Sequence, residues 1–119
     1  MAALISCAGC RGHSDRSEKI SIQGSISPQP VRAGEEVVRF RLAWPDGSAL
    51  SGARVRLEGD MTHPGMAPVF SDATETSAGN YRALLDFTMG GDWVVLFHIA
   101  LADGRKIERQ IDVKGVESR

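Results

Sequence analysis

After Cys10 the sequence contains no cysteine, and Cys7 and Cys10 are the only two among its 119 residues. A disulfide framework stapling the body of the domain is thereby excluded, so stability has to come from apolar burial. Long apolar runs are missing as well. The longest, such as residues 93–97, are the length of a strand and fall far short of the roughly 20 residues of a membrane helix. Neither sign of charge dominates, with 14 basic residues against 15 acidic and a net charge of -1, so no strong field gathers nucleic acid or anionic lipid. There is no G-x-S-x-G elbow, no Gly-rich phosphate loop and no cysteine nucleophile in the body of the chain. Asp60 and His63 alone do not make a catalytic set, and no enzyme is expected.

What is present is alternation. Ile20, Ile22 and Ile26 define a first strand, and Val38, Phe40, Leu42 and Trp44 a second. Ala53, Val55 and Leu57 give a third, residues 69–74 a weak fourth, and Tyr81, Ala83, Leu85 and Phe87 a fifth. The sixth, residues 93–101, is apolar on nearly both faces. The seventh sets Ile107, Ile111 and Val113 among charges, as an outer strand does. No segment has a helical period. The length allows one domain, and seven short strands predict an all-β, immunoglobulin-like sandwich over residues 20–114, preceded by segment 1–19 and followed by tail 115–119.

The N-terminal segment carries an address. Leu4-Ile5-Ser6-Cys7 resembles the lipobox of bacterial lipoproteins, which implies export and lipidation of Cys7. Met1-Ala2-Ala3 lacks the basic start and the about 7–15 apolar residues of a signal core, so the likeness reflects either a clipped start or chance. Two other readings stay open for Cys7 and Cys10, an inert tail and a metal or redox pair with His13. Residues 11–19 are polar and aperiodic and read as a flexible spacer.

The connections sort into two ends. Pro45-Asp46-Gly47-Ser48, Ser77-Ala78-Gly79-Asn80 and Asp103-Gly104 are turn sequences that an up-and-down alternation places together. Loops 28–34, 60–68 and 88–92 then gather at the opposite end, where side chains are free of strand packing and can face a ligand.

That second end holds the residues with the most chemistry. Met61 and His63 are two apart, so in an extended chain they point the same way. His63-Pro64-Gly65-Met66 carries the Pro-Gly pair of a type II turn, whose ends approach within about 7 Å. Thioether sulfur is a soft, neutral donor, so a Met-x-His-x-x-Met set selects Cu(I) over hard cations. Met89 lies in a loop at the same end and is a further candidate ligand. The competing reading gives these methionines, Met89 included, the role of filling the irregular open end of the sandwich. His98, mid-strand beside Val94, Leu96 and Ala100, reads as a satisfied, partly buried histidine in preference to a ligand, and Trp44 and Trp93 read as core.

From about Ile20 to Val113 the chain resembles the YtkA-like domain, which is related to FixH-like domains. The residues that carry the likeness are Val31-x-x-Gly34, Gly52-Ala53-x-Val55, Met61-Thr62-His63-Pro64-Gly65-Met66, Gly79-x-Tyr81 and Phe87-Thr88-Met89-Gly90-Gly91-Asp92-Trp93. The resemblance implies an extracytoplasmic immunoglobulin-like sandwich in the context of copper handling or oxidase assembly, without catalysis. It singles out Met61, His63, Met66 and Met89 by motif position. The function expected is a periplasmic module that holds Cu(I) or delivers it to an acceptor protein. A metal-free interaction or assembly-factor domain, docking a partner or a second copy through strand six or the Met-bearing rim, is the alternative.

Overall fold

A computed structural model describes residues 19–63 and 65–118. The expectations for Cys7, Cys10, His13 and the spacer up to residue 18 lie outside the described residues. Among those described there are eight strands and no helix: β1 (Ser21–Ser27), β2 (Gly34–Ala43), β3 (Arg54–Met61), β4 (Val69–Asp72), β5 (Thr74–Ser77), β6 (Asn80–Phe87), β7 (Gly91–Ala100) and β8 (Lys106–Val116). They form two antiparallel four-stranded sheets, ordered β1-β2-β6-β5 and β4-β3-β7-β8.

Period-two burial shows why these residues form strands. Along β6, Tyr81, Ala83, Leu85 and Phe87 are buried while the residues between them are exposed. β7 buries Trp93, Val95, Phe97 and Ile99 in the same rhythm. These inward faces join one core, and aromatic rings bridge the two layers. Phe40 of β2 meets Phe97 of β7 edge-on at 4.9 Å, and Phe87 of β6 meets Trp93 of β7 edge-on at 5.2 Å. Within the first sheet Phe40 also stacks on Tyr81, its cross-strand partner, at 5.3 Å.

The expected weak fourth strand is two strands. β4 pairs with β3 from Gly59↔Val69 to Arg56↔Asp72, whereas β5 begins at Thr74 and pairs with β6 in the other sheet. The crossing falls at Ala73, whose N–H still donates to the Val55 carbonyl at 2.9 Å. Mostly polar residues between Val69 and Ser77, with Phe70 and Ala73 the only apolar ones, give this segment no apolar stripe long enough to commit it to one sheet. A second difference lies at the C-terminus, where the tail was expected from residue 115. β8 runs through buried Val116, and the Glu117 backbone exchanges hydrogen bonds with Val31 and Ala33. A lone valine among Lys114, Gly115 and Glu117 carries too little pattern to announce that strand end.

At the hairpin end, buried Tyr81 fastens β6 to the segment entering β3. Its hydroxyl donates to the Leu50 carbonyl at 2.8 Å and accepts the Ala53 N–H at 3.2 Å. Burial pushes the phenol above its ordinary pKa, which keeps the hydroxyl neutral and able to donate. Beside it, the Glu75 carboxylate accepts the N–H groups of Gly52 and Gly79, each at 3.0 Å, and these bonds hold its pKa below the usual range.

Tyr81→Phe is expected to leave the Leu50 carbonyl and the Ala53 N–H without their partner and to cost about 2 kcal/mol. The measurement is urea unfolding, with a lower midpoint and an unchanged slope.

Candidate functional site

Loops 28–33, 62–68 and 88–90 do gather at one end, opposite the tight hairpins, because they follow β1, β3 and β6 while the hairpins follow β2, β5 and β7. Trp93 organizes this end. It is buried at 1 % exposure and is the register partner of Met61 across β3 and β7. A buried indole N–H needs an acceptor, and the carbonyl of Met89 provides it at 3.0 Å. One step outward, Thr62 is tied to the Asp92 carbonyl through its N–H at 3.2 Å and its hydroxyl at 3.4 Å. The first residues of the Met-bearing loop are thus stitched to the start of β7, just after the loop that carries Met89.

The four candidate ligands are not equivalent. Met61, the last residue of β3, is half-buried and packs against the core. Its methyl group lies over Gly91, where an added Cβ would come within 2.9 Å of it, so the thioether occupies space that only glycine leaves open. His63 is exposed, and Met66 and Met89 are exposed at 40 % and 44 %. Pinning the Met89 carbonyl to Trp93 directs that residue's backbone inward and leaves its side chain outside, so it does not cap the core. Gly65 has φ 83°, the left-handed value of about +80° that the third residue of a type II turn requires. Met66, Met89 and His63 therefore stand as exposed soft or borderline donors on the rim of one sandwich end, with Met61 at their base.

A second group, on the outer face of β3, β7 and β8, was not visible as a constellation in the sequence. His98 Nε2 lies 2.9 Å from Glu58 Oε1, and His98 Nδ1 lies 3.3 Å from Glu108 Oε1. Register explains it: Glu58 sits two residues along β3 from His98's direct partner Arg56, on the same face, and Glu108 is directly opposite on β8. The expectation of a satisfied histidine, half-buried beside Val94 and Leu96, matches this geometry. Because the two glutamates sit on opposite ring nitrogens, they do not converge on one ion, and among the described residues no three His, Cys, Asp or Glu side chains form a metal-holding group. The hydrogen bond from His98 holds the Glu58 carboxyl below its usual range, while burial, together with neighbouring Glu58, raises that of Asp60. Phe70, exposed on the same face, is covered by the Arg56 guanidinium 4.5 Å from its ring centre.

The sign of the Glu58 shift fixes a pH window. A carboxyl whose folded pKa is depressed contributes stability above its unfolded value, here 4.5, and loses it as pH falls through the folded value. His98→Gln is expected to abolish most of that dependence. Thermal melts from neutral pH downward should show a steeper loss below pH 4.5 in the parent than in the variant.

A family model described as YtkA-like matches residues 16–98, a stretch that runs through the first sheet, both Met-bearing loops and β7 as far as His98. No curated protein and no solved structure matches the chain. With more than half of its length matched, and with the Met61–Met66 and Met89 loops inside the match, the chain belongs to the YtkA-like family.

Proposed function

We propose that this domain is an extracytoplasmic module that holds Cu(I) as cargo on the rim formed by His63, Met66 and Met89, with Met61 at its base, and passes it to an acceptor protein by ligand exchange. The observation that carries the reading is the exposure of Met66 and Met89, two of the four large apolar side chains exposed on the described surface and both at the same end of the sandwich. Burial would remove such side chains from water, whereas a soft-metal site needs them accessible. Donor chemistry supports the choice of ion: thioethers and one imidazole favour Cu(I), and neutral thioethers release it readily. The cross-ties Thr62–Asp92 and Trp93–Met89 support the rim by holding both loops to the same strand pair. Export and lipidation at Cys7 belong to the same proposal, since they would keep such a carrier at the outer side of a membrane. The module binds and hands over; it does not catalyse.

One observation favours the metal-free alternative, an interaction or assembly-factor domain with a FixH-like role. Met61 packs on Gly91 and the core, as a gap-filling methionine does.

Titration of the full chain carrying Cys7→Ser and Cys10→Ser with Cu(I), against a chromophoric chelator, separates the two readings. Cu(I) binding is expected to withdraw one equivalent of metal from the chelator. His63→Ala, Met66→Leu and Met89→Leu are each expected to weaken it about tenfold or more without lowering the melting temperature. Unchanged chelator colour with the Cys-free parent would overturn the metal reading and leave the interaction domain.

A further inference from the structure

The outer face of sheet β1-β2-β6-β5 carries an ordered charge pattern. Three rungs of the β2–β6 ladder place Glu35 opposite Asp86, Val37 opposite Leu84, and Arg39 opposite Arg82. The residues between them, Glu36, Val38, Phe40 and their partners Leu85, Ala83 and Tyr81, are buried, so these three pairs share the outward face. Successive pairs lie two residues apart, about 6.8 Å along the strands. The face therefore reads as an acidic row, an apolar row and a basic row at equal spacing.

Within one molecule this arrangement is unfavourable. Like charges directly across a ladder repel, and pairing Glu35 with an arginine would have been the favourable choice. Among the described residues, the side chains of Glu35, Asp86 and Arg82 have no hydrogen bond or ion pair, and the only hydrogen-bond partner of the Arg39 guanidinium is the Ser27 hydroxyl at 3.5 Å. Leu84, in the middle row, is one of four large apolar side chains exposed on the described surface. Met66 and Met89 belong to the rim and Phe70 lies under Arg56, which leaves Leu84 without an account. The flanking positions are short and polar, Ser25 and Ser27 on β1 and Thr74 on β5, so nothing bulky keeps a second surface away.

We infer that this face binds a second copy of the chain. A two-fold axis lying across the strands at the Val37–Leu84 row turns the acidic row of each copy onto the basic row of the other. Glu35 then meets Arg39 of the second copy, Asp86 meets Arg82 of the second copy, and Val37 and Leu84 meet their own counterparts. The pattern is self-complementary, as an isologous contact requires, and it turns two intramolecular repulsions into four intermolecular ion pairs. The strands of the two copies run antiparallel, so their Met-bearing ends face away from each other and stay accessible. The inference is independent of the metal reading, because none of its residues lies on the rim.

Sedimentation velocity over a concentration series tests it, on the full chain under reducing conditions so that Cys7 and Cys10 do not cross-link copies. A reversible dimer is expected, weakening as salt rises from about 0.05 to about 0.5 M because its ion pairs are screened. Glu35→Arg and Arg39→Glu are each expected to weaken dimerisation about tenfold or more, since each sets like charges face to face. The double variant E35R/R39E exchanges the signs of the two side chains that meet across the axis, leaving Asp86 and Arg82 as they are, and is expected to restore it. Near-ultraviolet circular dichroism checks that each variant is folded. A chain that stays monomeric at every concentration, a dimer indifferent to the single variants, or a loss that the double variant does not rescue would overturn the inference.

Discussion

Burial of the Trp93 indole is the constraint on which the ligand-bearing end depends. The ring closes the core against Phe87 of the opposite sheet, and its N–H, withdrawn from water, has to find an acceptor. The Met89 carbonyl is that acceptor, so the demand for one hydrogen bond inside the core fixes the course of a surface loop. On its other side Trp93 is the strand partner of Met61, and the chain leaving Met61 is tied at once to Asp92. One buried aromatic thus relates two loops that are separated in sequence by β4, β5 and β6.

The two outer faces of the sandwich handle charge differently. On β3-β7-β8, His98 stands between Glu58 and Glu108 and Arg56 covers Phe70, so charges and exposed apolar surface find partners within the chain. On β2-β6, like charges face each other and Leu84 is bare. A sheet face that satisfies itself has little to gain from a partner. A face whose charges are arranged in self-complementary rows is improved by one, and this contrast makes the first sheet the better candidate for association.

Much of the fold was legible in the residues, and for a simple reason. Alternation at Val38-Phe40-Leu42, Tyr81-Ala83-Leu85-Phe87 and Trp93-Val95-Phe97 is a local signal that burial on one sheet face requires, and those strands lie where the pattern puts them. The Pro-Gly step after His63 likewise announced the left-handed glycine at 65. Signals failed where structure is decided by a few atoms. The crossing at Ala73 hinges on one backbone hydrogen bond to Val55, and the end of β8 on one buried valine. Neither leaves a period to read.

The sequence by itself determined the all-β class, the separation of tight hairpins from longer loops, and the identity of the soft donors Met61, His63, Met66 and Met89, because each is written in spacing or in side-chain chemistry. Only the tertiary structure decided which of those donors are exposed, that Met61 packs over Gly91 while Met66 and Met89 stand in solvent, and that Glu58, His98 and Glu108 form one group. The tertiary structure alone also aligned Glu35 with Asp86 and Arg39 with Arg82. Exposure and pairing depend on which strand lies beside which: alternation along one strand fixes which of its faces is buried, whereas the residue that lies opposite on a strand distant in sequence is decided by how the two pack.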